Sequence, residues 1–336
     1  LADHTFWKYA TSTIHLFSIL KKETLYKILI FTLLTYGSIV LYRIYLEQKN
    51  IAPRLSDSGS FDVKMWHLKH TQVKEIDILG IGSSLTYFDL NTSVLLKSIP
   101  PDLHYYNFAS WHFTVRDIDR ISQFIGDYIQ PKVLLWIDSQ SLYTTEAIDE
   151  EKNIPSSVEL DLYFTGIFSE YSYLKGGNLD GLIKYTKWMN EELKKKDKKL
   201  GNQSLDMNGG TYIVDHRKLS SGKEYNNDGR SYTYLEKVCS YFKRKNITIL
   251  YVNMPSPNQK YHDKTTASYI KAHDLRVSNI IKKNGHLFCS KEQVGNIPDS
   301  LYADNGHLNK CGGEWFTKKI MAFPSFKNAI SHLSQH

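Results

Sequence analysis

Beyond residue 70, four short runs are almost wholly apolar or β-prone: EIDILG (75–80), HYYNFA (104–109), KVLLWID (132–138) and ITILYVNM (247–254). Each is too short for a typical helix and lacks the strict alternation of a half-exposed strand. They read as strands covered on both faces. Between and after them, apolar positions recur at helical spacing over 114–129, 231–245 and 264–283, with a further helix around 315–321. Buried strands alternating with amphipathic helices predict an α/β fold around a parallel sheet.

One region breaks the alternation. From about 142 to 229 no buried strand is legible; the stretch holds acidic turns, a KGGNLDGL breaker, a Lys-rich helix around Trp188 and Gly/Asn/Ser-rich segments. It reads as an insertion on the core domain, of the length at which loops are functional or disordered. The KKKDKK run at 194–199 reads most simply as a solvated helix end or loop.

The pattern before residue 70 is different. The stretch TLYKILIFTLLTYGSIVLYRIYL (24–46) has an uncharged centre of 15 residues, 28–42, flanked by Lys27 and Arg43 and by Tyr26, Tyr42 and Tyr45. Long basic side chains and tyrosines suit the two interfaces of a bilayer. With these flanks the segment is long enough to cross a hydrocarbon layer of about 30 Å. A buried core helix is the plain alternative. A cleaved signal fits less well, because YRIYLEQKN offers no small-residue cleavage site. Lys8, Lys21, Lys22 and Lys27 precede the apolar centre, against Arg43, Lys49 and Arg54 after it. The bias favours a cytoplasmic N-terminus with the bulk of the chain outside a cell membrane. Residues 6–20 are apolar on one helical face, suited to lie along the membrane or against a partner helix. The expected organisation is therefore a juxtamembrane segment (1–23), a transmembrane helix (24–46), a linker (47–69) and a catalytic-sized domain (70–336) carrying the insertion 142–229.

Composition narrows the classes without naming one. At 336 residues, 41% hydrophobic and 23% charged, the chain is globular rather than disordered. Its net charge of +7 is mild, and no basic stripe with interleaved aromatics marks a nucleic-acid surface. Cys239, Cys289 and Cys311 show no CxxC spacing, so a structural zinc site is not expected. No cofactor or metal motif is present.

The unusual sequences fall where strands end, which is where open parallel sheets gather their ligands. The first is DILGIGSSLTYFDL (77–90). It lacks the third glycine and the downstream acid of a dinucleotide fingerprint, and the Gly-Lys-Ser/Thr of a phosphate loop. What remains is a plain strand-to-helix turn or a turn that exposes a nucleophilic serine. The second is YADNGHLNKCGG (302–313), which sets Asp304 and His307 three apart. An Asp can hold one imidazole nitrogen while the other faces a serine. Together the two stretches supply a nucleophile, a base and an orienting carboxylate, with Ser84 as the nucleophile and Ser83 as the alternative.

These residues resemble the SGNH/GDSL hydrolase superfamily. GSSL (82–85) is similar to its first block, with Ser84 at the nucleophile position, and DNGHLN (304–309) to its last, the Asp-x-x-His of acid and base. YNFASWHFT (106–114) resembles the second block, with Ala109 in place of the oxyanion glycine; there the donor is a backbone N–H. IDSQS (137–141) is a poor match to the third, offering Gln140 near the Asn position, beside Asp138. The Gly-Ser-Ser form, the apolar N-terminal segment and YVNMPSPNQKYHD (251–263) resemble the membrane-anchored branch that includes the D-alanyl transfer protein of teichoic-acid modification and proteins of polysaccharide O-acetylation. The resemblance implies a flavodoxin-like three-layer sandwich. It further implies an acyl-serine intermediate on Ser84 and an oxyanion hole from Ser84, Ala109 and Gln140. The acceptor would be a glycan or teichoic-acid-like polymer, with a membrane-bound O-acyltransferase as partner and no cofactor. Hydrolysis instead of transfer, and a scaffold that has lost activity, stay open alongside it. His112, near the second block, is either a pocket residue or an ordinary structural histidine.

Overall fold

The computed structural model describes residues 22–48, 52, 55–70, 75–150, 152–165, 208, 210–211, 227–255 and 264–333. The chain divides into two units, Leu1–Ile51 and Ala52–His336.

In the first unit, Lys22–Gln48 is one continuous helix of 27 residues. By length and composition its Lys22–Tyr42 portion is able to cross a membrane. The hydroxyls of Thr32, Thr35 and Ser38 donate to the carbonyls four residues back, at 2.8, 2.8 and 2.9 Å, so none needs water. The expected juxtamembrane segment lies almost entirely outside the described residues.

The second unit is built on five parallel strands in the order β2-β1-β3-β4-β5. They are β1 (Ile78–Gly82), β2 (Tyr105–Asn107), β3 (Val133–Asp138), β4 (Thr248–Asn253) and β5 (Leu287–Cys289). This is the flavodoxin-like order, whose direction reverses between β1 and β3. Alternate residues of each strand feed two separate cores. Leu79, Ile81, Leu134, Trp136, Ile249 and Tyr251 face one, and Ile78, Val133, Leu135, Ile137, Leu250 and Val252 face the other. Helices cover both faces, which makes the fold a three-layer α/β sandwich, as expected.

Two expectations need correction. Gly59–His70, inside the supposed linker, is a helix whose Phe61 and Met65 are fully buried in the first core. Burying such side chains stabilises by roughly 1.5–3 kcal/mol each. Its sequence hides this because it also buries Asp62 and Lys64, each 0% exposed. Asp62 accepts the backbone N–H and hydroxyl of Ser56 at 2.9 and 2.8 Å, which offsets its burial. The insertion also begins as part of the core: Tyr143, Ile148, Ile154, Leu160 and Tyr163 are buried there. The helix expected around Trp188 lies outside the described residues.

Candidate active site

Strand β1 ends at Gly82, with φ +124°, where a Cβ would lie 2.8 Å from Thr86 Oγ1 and 3.0 Å from Trp136. Only glycine accepts both the backbone and the closeness. Its turn launches the short helix Ser84–Asp89. Ser83 is the N-cap: fully buried, its Oγ accepts the N–H of Leu85 at 3.2 Å. Its burial removes Ser83 as an accessible nucleophile and leaves Ser84, half-exposed, at the first helical position. Thr86 Oγ1 then locks the helix to β3, donating to the Ile137 carbonyl and accepting the Ile137 N–H, both at 2.9 Å.

The loop carrying Asp304 and His307 closes over this helix. Asp304 Oδ1 accepts the backbone N–H groups of Gly306 and His307 at 2.8 and 2.9 Å, and Ala303 N–H donates to the His307 carbonyl at 2.8 Å. The side chain of His307 completes the arrangement. Its Nδ1 lies 2.9 and 3.1 Å from the two Asp304 oxygens, and its Nε2 lies 2.8 Å from Ser84 Oγ. Facing a carboxylate, Nδ1 carries the proton, so Nε2 accepts from the serine hydroxyl. Phe88 meets the imidazole edge-on, with ring centroids 5.6 Å apart, and Trp111 packs on Phe88 at 6.0 Å. Residues 223 positions apart in the chain thus form one hydrogen-bonded line, Ser84–His307–Asp304.

The electrostatics match. Burial raises the Asp304 carboxyl, but the hydrogen bond and charge of His307, with the N–H groups of Gly306 and His307, outweigh it and hold the carboxyl at about 2. The unfolded chain, at an ordinary 3.8, takes up this proton first. The stability from Asp304 is therefore present above about pH 4 and lost as pH falls toward 2. Urea midpoints measured between pH 5 and 2 should fall less steeply for Asp304→Asn than for the wild type. Asp89 behaves in the opposite way. Burial pushes its carboxyl up to about 8, against the pull of His307 and the Leu308 N–H.

The remaining expected residues are placed differently. Ala109 is buried beside this line, in a small cluster with Tyr87, Phe88 and Ala303. Its N–H, however, donates to Asn107 Oδ1 at 3.1 Å, so that donor is already engaged. Asn107 in turn donates from Nδ2 to the Thr86 carbonyl at 3.0 Å, tying the second block to the nucleophile helix. The Ser84 N–H stands at the first helical position, where no intrahelical acceptor exists. The amide of Gln140 is engaged elsewhere: its Nε2 donates to Asn227 Oδ1 at 2.6 Å. Asp138 is fully buried, accepting the Ser139 N–H at 2.9 Å and the Trp136 indole at 3.1 Å, and burial pushes it up to about 8. His112 is exposed at φ 54°, a turn residue outside the hydrogen-bonded line. Among the described residues, no cluster of His, Cys, Asp and Glu is arranged to hold a metal ion.

Three contributing residues escaped the pattern reading. Asn107 and Asp89 are single polar residues whose partners lie far away or on the next element. Lys64, fully buried, donates from Nζ to the Asn107 carbonyl at 2.5 Å and lies 4.3 Å above the Tyr87 ring. The only sequence signal was polarity where a core residue was due.

No protein-family model matches the chain, and no curated protein is significantly similar to it. Solved structures overlay loosely. A Streptococcus pneumonia protein provisionally named a platelet activating factor is 10% identical, over 88% of this chain and 99% of that one, with a TM-score of 0.43. An alpha/beta hydrolase enzyme from the metagenome of Lake Arreo is 10% identical over 76% and 95%, with a TM-score of 0.39. An acetylxylan esterase from Geobacillus stearothermophilus is 13% identical over 73% and 94%, with a TM-score of 0.36. At such scores the fold assignment rests on strand order, parallel pairing and the two cores, all of which describe a flavodoxin-like α/β sandwich.

Proposed function

We propose that this chain is a membrane-anchored serine acyltransferase that O-acylates a cell-envelope or secreted glycan. The observation that carries the chemistry is the line Ser84 Oγ–His307 Nε2, 2.8 Å, and His307 Nδ1–Asp304, 2.9 Å. A nucleophile, a base and an orienting carboxylate in hydrogen-bond reach are what acyl transfer through serine requires.

In the proposed cycle, Ser84 Oγ attacks the acyl carbonyl while His307 Nε2 takes the hydroxyl proton. The tetrahedral oxyanion forms beside the Ser84 N–H at the helix start. Collapse breaks the bond to the leaving group, which receives the proton from His307, and leaves an ester on Ser84. An acceptor hydroxyl then gives its proton to His307 and attacks that ester; collapse of the new tetrahedral adduct breaks the bond to Ser84 Oγ, which takes the proton back from His307. Asp304 stays charged throughout and stabilises the imidazolium formed in each half.

Anchoring rests on the Lys22–Gln48 helix, and the choice of a glycan acceptor and of a membrane-bound O-acyltransferase as acyl supplier rests on the sequence resemblance. Transfer and hydrolysis use the same residues and differ in whether a sugar hydroxyl or water attacks the acyl-serine. With an activated acetyl ester as donor, adding an acetyl-accepting oligosaccharide should raise turnover and yield acetylated sugar. Turnover that is indifferent to any glycan, with acetate as sole product, would make the protein an esterase.

A further inference from the structure

The nucleophile helix ends at Asp89, five residues after Ser84, and this carboxyl is fully buried. A carboxyl buried at a helix C-terminus is costly in either state: the charged form opposes the helix dipole, and the neutral form is a polar group taken out of water. Packing alone would favour an apolar side chain there. What the carboxyl does is specific: Oδ1 accepts the N–H of Leu308, the residue after the base, at 2.8 Å. Its other oxygen, Oδ2, has no hydrogen-bond partner among the described residues. The helix Lys310–Met321 packs directly against this helix end. A Cβ on Gly313 would lie 3.4 Å from the Asp89 carbonyl, and Asn91 N–H donates to Thr317 Oγ1 at 2.8 Å.

We propose that Asp89 is a positioning residue, a buried carboxyl that clasps the His307 loop to the nucleophile helix and thereby sets the distance between Ser84 Oγ and His307 Nε2. The inference rests on the reading of Ser84 and His307 as nucleophile and base. The clasp works through the backbone of Leu308, one residue from the imidazole, while six residues of helix fix the serine at the other end. Because Oδ1 is the only side-chain atom engaged among the described residues, a neutral amide oxygen should serve nearly as well. A methyl group leaves the Leu308 N–H buried without an acceptor and the loop free to shift. A shift of about 1 Å between reacting groups is enough to cost a hundredfold in rate.

The test uses the full chain in detergent micelles, with Asp89→Ala and Asp89→Asn compared to wild type. The readouts are thermal unfolding, kcat and KM for p-nitrophenyl acetate, and the downfield Nδ1 proton resonance of His307, assigned by its loss in His307→Gln. The clasp requires Asp89→Ala to lower kcat by about tenfold or more, with KM nearly unchanged, at temperatures where the variant is folded. Asp89→Asn should recover to within about threefold of wild type on the same reasoning. The resonance should be broadened or shifted in Asp89→Ala and retained in Asp89→Asn. Wild-type kcat in Asp89→Ala, or equal losses in folded Ala and Asn variants, would overturn the proposal. If the wild type itself turns over no ester, the acyl-transfer reading fails, and the resonance alone decides the clasp: unchanged in Asp89→Ala, it is refuted.

Discussion

Ser84→Ala should reduce release of p-nitrophenol from an activated acetyl ester by about 10³-fold or more while leaving the unfolding temperature close to wild type. The two halves of that expectation have separate causes. The hydroxyl is the only group in the line positioned to form the ester, with His307 Nε2 2.8 Å away to take its proton. Among the described residues, its hydroxyl bonds only to His307. Ser83, not Ser84, caps the helix, and Thr86 rather than Ser84 bonds the helix to β3. Alanine is moreover a good helix former at this half-exposed position. His307→Ala should cost a comparable factor, and the double variant little more than either alone, because nucleophile and base act as one unit. Additive losses would mean that the two residues contribute independently.

Gly312→Ala should destabilise the protein by about 2–3 kcal/mol net, although helix propensity alone favours alanine by about 1 kcal/mol. Gly312 is in the first turn of the helix Lys310–Met321, against the short 3-10 helix Asp299–Leu301 that precedes the Asp304–His307 loop. A Cβ there would overlap the carbonyl oxygen of Leu301 and come within 3.0 Å of Leu308 Cβ. That carbonyl accepts the Asn309 N–H at 2.9 Å, and Asn309 Oδ1 caps the helix through the Gly312 N–H at 2.9 Å. Relief of the clash must break this closure, so activity should fall with stability. Gly313→Ala is the control, since its Cβ would meet the Asp89 and Phe88 carbonyl oxygens at 3.4 and 3.7 Å, ordinary contacts. Urea midpoints at unchanged slope distinguish the two substitutions.

The reason one serine could be picked from two, and one histidine from 13, lies in the local character of the signals. Strands β1, β3 and β4 announce themselves as apolar runs, and Gly82-Ser83-Ser84 and Asp304-x-x-His307 are short enough to read without a partner. Strand β5 was missed because Leu287–Cys289 is three residues long and only Cys289 is buried, so no apolar run marks it. Gly59–His70 was read as linker because its buried face includes Asp62 and Lys64, whose burial is compensated by Ser56 and by the Asn107 carbonyl. The oxyanion side was the least legible. Whether Ala109 has a free N–H depends on the Asn107 side chain, and whether Gln140 faces the serine depends on Asn227, 87 residues away. Such partners are set by tertiary packing, which a one-dimensional pattern does not carry.

The central claim is that Ser84 is an activated nucleophile. Its most direct measurement is covalent capture: the full chain is treated with a fluorophosphonate probe, digested, and the modified residue located by mass spectrometry. A single adduct on Ser84, absent in Ser84→Ala and formed far more slowly in His307→Ala, is the result expected from the Ser84–His307–Asp304 line. No adduct on folded wild-type protein, or one on another serine that persists in Ser84→Ala, would contradict it.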